Sequence, residues 1–386
     1  MTIIAIKNIG TLVSGDIKKP ISSSNTIIIE DGKIAKLGNE ELLKQYQCDK
    51  VIDAKGITVT PGLIDSHVHP VIGDFTPRQN TLGFIDSSLH GGVTTMISAG
   101  ECHTPGRPKD VAGTKALAIL AHKSFQNMRP GGVKLHGGAL ILEKGLTEKD
   151  FEELAREGVW LVGEIGLGSI NKPEDAAPMV EWAKKHGFKT MMHTGGTSIP
   201  GSTTVTAADV MQVNPHVVSH LNGGPTAIPI EEVKKLIDET SITLEMVQCG
   251  NFKVFKQAIE WLKEKNQLDR VILGNDSPSG TGIIPLGILR SVCFIASMTG
   301  VSAEEALCMA TGNTARVYGL NVGIIEEGRE ADLVLMDAPM GSVGKNCIQA
   351  LEAGDLPGIS MVIIDGTLVA TKSRNTPPPA IKAVVC

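Results

Sequence analysis

Short apolar runs alternate with amphipathic helical patterns through the middle of the chain, and this alternation constrains the fold more than any other feature. Eight runs predict buried strands, at residues 62–69, 92–99, 133–142, 159–167, 188–194, 216–221, 242–249 and 271–276. Helical patterns separate most of them, as at 147–155, 178–186, 230–238 and 252–265. Eight strand–helix units predict a (β/α)8 TIM barrel, whose usual length of about 250 residues fits this segment. An open doubly wound sheet is the alternative.

The two ends of the chain are typical of a different architecture. Strand patterns occur early in the chain and return near its end, at residues 3–6, 26–30, 34–37, 323–328, 331–336, 360–366 and 367–370. Because chain termini often lie close together, we expect residues 1–60 and 323–386 to build one composite β domain around a barrel of residues 61–322. Two separate small β units remain the alternative.

Composition excludes several function classes. The 386 residues contain 36 Lys and Arg against 42 Asp and Glu, and only 3% are aromatic, which argues against nucleic acid as a partner. The seven cysteines include no Cys-x-x-Cys pair, so neither a disulfide framework nor a zinc ribbon is indicated, and a reducing cytoplasm is the expected location. No apolar run reaches the roughly 18 residues of a membrane span. We therefore expect a cytoplasmic protein that acts on a small molecule.

Polar side chains collect where the predicted strands end, which is where a (β/α)8 barrel carries its reactive groups. Residues two apart on a strand face the same side, so His67 and His69 can reach one cation. The residues at these strand ends are His67, His69, Glu164, His193, His220 and Asp276. Taken singly, any of these histidines could be a hydrogen-bonded core residue, and Asp276 could begin a turn. Together they predict a metal site.

The number of these ligands favours two ions over one. Six protein ligands exceed the three or four of a usual zinc site, and imidazole with carboxylate suits zinc, iron, manganese or nickel. Two divalent ions that share a bridging carboxylate satisfy the set most economically. The remaining histidines fall on helices, loops or the wrong strand ends and are assigned no role; His136 is the least secure of these exclusions.

Three segments carry a family resemblance. The motif at 61–69, Pro-Gly-Leu-Ile-Asp-Ser-His-Val-His, resembles the first-strand motif of the amidohydrolase superfamily; Ser219-His-Leu-Asn222 is similar to its sixth-strand motif, and 328–335 to the return into its β domain. The resemblance covers nearly the whole chain. It implies a metal-bearing barrel with a composite β-sandwich. It also implies a homotetramer, although the sequence itself indicates no oligomer contact.

The resemblance also implies roles for the six residues. His67 and His69 would bind the more buried ion, His193 and His220 the more exposed one, and Asp276 would both bind metal and move protons as the catalytic residue. The superfamily commonly bridges its ions with a carboxylated lysine, but Glu164 occupies that place here, so the implied cofactors are two zinc or iron ions bridged by Glu164 and a hydroxide. Lys134 is the alternative bridging lysine, although a substrate-facing or structural role fits it better.

Within the superfamily, the chain is most similar to enzymes that open a cyclic enamide at its C–N bond. Enzymes that open dihydropyrimidines, hydantoins or dihydroorotate share the same implied metal geometry and remain alternatives. So do a deaminase, a phosphotriesterase-like enzyme and a non-catalytic scaffold. A substrate carboxylate would need a cation near the barrel mouth; the candidates, which the sequence does not rank, are Arg78, Arg107, Lys109 and Lys134.

Overall fold

The computed structural model describes residues 2–72, 81–197, 204–224, 226–278 and 282–386. Both ends of the chain contribute to two sheets. The strands before the barrel are β1 (Ile3–Lys7), β2 (Thr11–Val13), β3 (Ile21–Ser22), β4 (Thr26–Glu30), β5 (Lys33–Gly38), β6 (Lys50–Asp53) and β7 (Thr58–Pro61). The barrel strands are β8 (Leu63–Val68), β9 (Val93–Ser98), β10 (Lys134–His136), β11 (Leu161–Ile165), β12 (Lys189–Met192), β13 (Val217–Val218), β14 (Thr243–Val247) and β15 (Val271–Gly274). The strands after it are β16 (Leu333–Asp337), β17 (Gly358–Ile364), β18 (Thr367–Ala370) and β19 (Val384–Val385).

The two sheets pack as a sandwich. One has the strand order β19-β6-β1-β4-β5 and the other β18-β17-β16-β7-β2-β3, so each sheet contains strands from both ends of the chain. A single apolar core joins them, with Ile6 and Ile27 from one sheet and Leu333 and Ile363 from the other. The predicted composite β-sandwich is therefore confirmed, whereas its division from the barrel at residues 60 and 323 stays a prediction. Residues 323–328 form no strand, because they turn the chain between the barrel and β16.

All eight predicted barrel strands are present, in the predicted order. They form two parallel arcs, β8 to β10 and β11 to β15. Single parallel bridges join the arcs at both edges, between Leu140 and Val162 and between Val68 and Ser277. The predicted (β/α)8 barrel is confirmed, and the open sheet is not observed.

Helices follow the barrel strands and cover their outer face. They are α1 (Thr81–Leu89), α2 (Val111–Asn127), α3 (Glu148–Arg156), α4 (Pro173–Lys185), α5 (Ala207–Val213), α6 (Ile230–Glu239), α7 (Phe252–Glu264), α8 (Gly287–Met298), α9 (Ala303–Cys308), α10 (Thr314–Tyr318) and α11 (Cys347–Glu352). The prediction that α4 begins at Pro178 is wrong. Pro173 takes the first turn, where a missing N–H costs nothing, and Pro178 lies inside the helix. No helix in the described part of the chain has the length and apolar character that crossing a membrane requires.

Candidate metal centre

The histidines of the first barrel strand converge as their spacing predicts. The Nε2 atoms of His67 and His69 lie 3.2 Å apart, and both side chains are buried. His67 Nδ1 lies 2.7 Å from Glu245 Oε2, and His69 Nδ1 lies 2.9 Å from the carbonyl oxygen of Gly100. Because an ionised carboxylate and a carbonyl oxygen only accept hydrogen bonds, each Nδ1 donates, which leaves the lone pairs of both neutral rings on Nε2. Two electron-pair donors thus point at one small volume.

Glu164, the next-to-last residue of β11, turns its two oxygens toward different histidines. Oε2 lies 3.5 Å from His67 Nε2 and 3.3 Å from His69 Nε2. Oε1 lies 2.6 Å from His220 Nε2 and 3.7 Å from His193 Nδ1. One carboxylate therefore stands between two pairs of histidines, with one oxygen for each pair.

Asp276 and His220 follow their strands by two residues, at sharp turns of the backbone. Their φ angles are +52° and +33°, in the left-handed region that side chains other than glycine rarely adopt. The turn at Asp276 brings its Oδ1 to 3.6 Å from His67 Nε2 and 3.3 Å from His69 Nε2. Such strain persists only where the surrounding structure holds it in place, and it is common at functional sites.

The structure brings all six predicted residues together, and we call them the strand-end cluster. They form two groups whose potential ligand atoms lie within 4.8 Å of one another: His67, His69 and Asp276, and Glu164, His193 and His220. In the first group, both His67 Nε2 and His69 Nε2 lie 3.2 to 3.6 Å from each other, from Asp276 Oδ1 and from Glu164 Oε2. Ligand bonds of about 2.0 to 2.1 Å in a tetrahedron would place ligand atoms about 3.3 Å apart. The donor set therefore fits a transition-metal ion.

An unpaired atom supports the same fit at the second group. Among the described residues, the buried Nδ1 atom of His193 has no hydrogen-bond partner, and it is the ring nitrogen nearest Glu164. A buried polar atom without a partner costs free energy, and such an atom calls for an explanation such as a bound ion.

The carboxylates in and around the strand-end cluster favour a positive charge between them. Burial disfavours the charged form of His67, but the carboxylates of Glu245 and Glu164 outweigh it and raise the pKa of His67 well above its usual value. Burial likewise opposes the ionised form of Asp276, yet the nearby His69 and His67 rings lower the pKa of that carboxyl below its usual range. Two protonated Nε2 atoms only 3.2 Å apart would direct hydrogens at each other. A bound cation satisfies the same carboxylates without that conflict.

Sequence reasoning missed several residues that support or border the cluster. Glu245 holds His67, and its signal was available, since it is the lone carboxylate in the apolar strand pattern 242–247. His103, excluded as a loop residue, has its ring centroid 5.5 Å from that of His69. Two thiols also reach the cluster: Cys102 Sγ lies 3.5 Å from His69 Nδ1, and Cys249 Sγ lies 3.6 Å from Asp276 Oδ2. Cysteine count alone gives no hint of either contact.

Two of the four cations considered for a substrate carboxylate form ion pairs with carboxylates of the protein itself. Arg107 pairs with the buried Glu143 at 2.8 Å. Lys134 binds Glu330, Asp332 and Asp365 at 2.6 to 2.9 Å, so it is a structural residue and not a bridging one. Lys109 is exposed, and Arg78 lies outside the described residues.

His136, the least secure of the excluded histidines, lies away from the strand-end cluster. Its ring packs edge-on against Trp160, with the ring centroids 5.4 Å apart. Burial, followed by the nearby charge of Lys134, lowers the pKa of His136 to about 4. This histidine is therefore a neutral packing residue.

A barrel of this kind, with histidines and carboxylates gathered at its strand ends, defines a class of metal-dependent hydrolases. The chain belongs to the amidohydrolase family, whose model matches residues 58–369. The prediction of a hydrolase of amide-type C–N bonds is thereby confirmed.

Comparison with individual proteins gives a more specific similarity than the family does. The chain is 64% identical, over 97% of both sequences, to a protein named enamidase from Eubacterium barkeri. A crystal structure titled as enamidase, a new member of the amidohydrolase superfamily, superimposes with a TM-score of 0.97 at 62% identity and full coverage of both chains. A β-aspartyl dipeptidase from Fervidobacterium islandicum AW-1 shares the fold alone, with a TM-score of 0.69 at 19% identity over 96% of this chain and 98% of its own.

Proposed function

We propose that this protein is an enamidase that opens 6-oxo-1,4,5,6-tetrahydronicotinate at its ring C–N bond and yields 2-formylglutarate and ammonia. The observation that carries the hydrolytic part is the strand-end cluster, whose donor atoms have the spacing of a metal centre. The substrate is inferred from the 64% identity with the Eubacterium barkeri enamidase.

The cluster fits two divalent ions, zinc or iron. His67, His69 and Asp276 would hold one ion, and His193 and His220 the other, with Glu164 bridging through its two oxygens. When bound, such ions supply a hydroxide nucleophile near neutral pH and polarise the amide carbonyl. A glutamate bridge provides the two oxygens of a carboxylated lysine without needing carbon dioxide.

Asp276 is placed to move the proton in this reaction. Its side chain is 14% exposed, whereas those of His67 and Glu164 are nearly inaccessible, so its carboxylate faces the barrel mouth. Its lowered pKa keeps it ionised at neutral pH, as a general base must be. It would accept a proton from the attacking water and donate it to the ring nitrogen as the C–N bond breaks. The released enamine then consumes a second water and loses ammonia, which leaves the aldehyde.

Other superfamily reactions fit the chain less well. Superfamily deaminases usually carry a glutamate after the fifth strand, whereas residues 193–198, His-Thr-Gly-Gly-Thr-Ser, contain no acid. Dihydropyrimidinase, hydantoinase and dihydroorotase chemistry would use the same cluster, so their substrates belong in the test. A non-catalytic scaffold would not be expected to keep all six positions filled.

The decisive assay uses purified, metal-loaded protein and 6-oxo-1,4,5,6-tetrahydronicotinate. Loss of the enamide absorbance and release of ammonia are followed together. Chelation and the His67→Ala variant should each abolish turnover, and metal should restore the chelated enzyme but not the variant. His186→Ala is the matched control, since that histidine caps α4 far from the cluster and should leave turnover unchanged.

The outcomes separate the reaction class from the substrate. Turnover that both treatments remove would support the enamidase. Protein that carries two metal ions but leaves this substrate intact would overturn the enamidase assignment, and dihydropyrimidines, hydantoins, dihydroorotate and paraoxon would be assayed next. Purified protein that folds yet binds no metal would overturn the metal centre itself.

We also infer a homo-oligomer, with a tetramer suggested only by resemblance, and a cytoplasmic location. Light scattering of the metal-loaded protein measures the first: a monomer would contradict the homo-oligomer, and a dimer would contradict only the tetramer.

A further inference from the structure

Glu245 is a completely buried carboxylate in the middle of β14, and both of its oxygens are engaged. Oε2 accepts a hydrogen bond from His67 Nδ1 at 2.7 Å and another from the backbone N–H of His220 at 3.2 Å. Oε1 accepts a short hydrogen bond from the Ser66 hydroxyl. One side chain thus contacts two residues of the strand-end cluster and Ser66, the chain neighbour of one of them.

The residues around Glu245 favour its contact with His67. Its charge is balanced by hydrogen-bond donors, and within the described residues its ion pair is with His67 alone. Gly274 on the adjacent strand leaves the necessary room, because a Cβ at that position would lie 2.6 Å from His67 Cβ and 3.2 Å from Glu245 Oε1. A carboxylate that is buried and ionised needs such specific donors to offset its desolvation.

We propose that Glu245 is a positioning residue that fixes the tautomer and direction of the His67 ring, so that Nε2 presents its lone pair to a bound cation. This inference rests on the proposed metal-binding role of the strand-end cluster. Partners of this kind on the second ring nitrogen orient a ligating histidine and raise its basicity. Glu245 is not a member of the strand-end cluster, and among the described residues its contact with a side chain of that cluster is with the His67 ring, so it acts on a bound cation through His67.

His69 shows what distinguishes this arrangement. Its Nδ1 donates to the carbonyl of Gly100 at 2.9 Å and lies 3.5 Å from Cys102 Sγ, whereas Nδ1 of His67 donates to a carboxylate at 2.7 Å. A carboxylate acceptor makes a shorter and stronger hydrogen bond than a carbonyl. His67 should therefore be the more firmly held ligand of the pair, and loss of the charge at residue 245 should weaken metal binding without removing any ligand.

The test compares Glu245→Gln with Ser66→Ala in the full-length protein. Glutamine keeps the shape and can still accept from His67, but it lacks the charge. The Ser66 variant removes the partner of the other oxygen and leaves the contact between Glu245 and His67 in place. Co²⁺ is titrated into metal-free protein in competition with a chromophoric chelator, and the melting temperature of each metal-free protein is recorded.

We expect Co²⁺ affinity to fall about 10- to 100-fold in Glu245→Gln and to stay near the wild-type value in Ser66→Ala. If Glu245→Gln does not fold, Glu245→Asp takes its place, since the shorter side chain withdraws the carboxylate from His67 while keeping its charge. The same loss of affinity is expected there.

Wild-type affinity in the glutamine variant, or in the aspartate variant where that one is used, would overturn the proposal. Equal losses of affinity and of melting temperature in the residue 245 and Ser66 variants would also overturn it, because they would indicate a purely structural carboxylate. Wild-type protein that binds no Co²⁺ would overturn this inference and the metal centre together. Cobalt-binding protein that leaves the cyclic enamide intact would count against the enamidase alone.

Discussion

Two charged clusters lie at opposite ends of the barrel strands, and they differ in whether they contain their own cation. Near the start of β10, Lys134 binds three carboxylates, those of Glu330, Asp332 and Asp365; we call these four residues the Lys134 cluster. At the other end of the strands, the strand-end cluster gathers histidines and carboxylates that all point electron pairs inward. The first cluster contains its own cation, and Arg129 also pairs with its Asp365 at 2.8 Å, whereas the strand-end cluster contains no lysine or arginine and offers its electron pairs to a cation from outside.

The two clusters therefore have different roles, since one stabilises the fold and the other forms the candidate functional site. Ion pairs formed within the protein hold elements together, and Lys134 on β10 does so between the barrel and the β-sandwich. Charge that is left for an external ion creates a reactive site. This agrees with the general division of a (β/α)8 barrel, whose carboxyl-terminal strand ends carry chemistry and whose other end carries stability.

The largest expected effect is at Asp276 and tests the functional side of this comparison. Asp276→Asn should lower kcat about 10²- to 10⁴-fold, because the amide cannot accept and return the proton. Steady-state kinetics at matched metal content measure this. An asparagine variant that retains two ions and wild-type kcat would contradict the proton-transfer role.

Removal of the internal cation should affect stability instead. Lys134→Met leaves Asp332 buried beside two further acids, and we expect a loss of about 3 kcal/mol in the free energy of unfolding. The kcat of the folded variant should remain at the wild-type value. Urea denaturation together with the enamidase assay measures both quantities, and a selective loss of kcat would place Lys134 in the active site.

His136, close to Lys134, should make stability depend on pH. Its pKa is lowered to about 4 in the folded protein, by burial and then by Lys134, against about 6.5 in the unfolded chain. Below about pH 6.5 the unfolded chain therefore binds a proton at this histidine that the folded protein does not bind. The free energy of unfolding falls as the pH drops toward 4. Between about pH 7 and pH 4.5, wild type should lose about 2 to 3 kcal/mol more than His136→Gln. Identical pH profiles in chemical denaturation would refute this.

The smallest effect is expected at an exposed ion pair, which serves as the control for Lys134. Lys36 and Glu327 lie 2.7 Å apart, but both side chains are about half exposed. Solvent screens such a pair, so Lys36→Met should leave the urea midpoint unchanged. If Lys36→Met lost as much free energy of unfolding as Lys134→Met, burial would not account for the difference between the two lysines.

Much of the fold was predictable, because periodicity is local. Alternating apolar runs and helical patterns placed all eight barrel strands, and the two β ends were correctly expected to share one domain. The predicted ends of individual helices and strands were less accurate. The start of α4 was misplaced at Pro178, since two prolines could each occupy a first turn, and 323–328 lacks the strand pairing that its apolar residues suggested.

The sequence alone determined the residue types and strand positions of the strand-end cluster, because a two-residue spacing on a strand and the position of a strand end can both be read locally. Only the tertiary structure decided which distant residues contact the strand-end cluster and which contact Lys134. Glu245 lies 178 residues from His67, and Lys134 lies 196 residues from Glu330. Contacts between residues so distant in the chain arise when the barrel closes and the sandwich docks, and no local pattern encodes that distance.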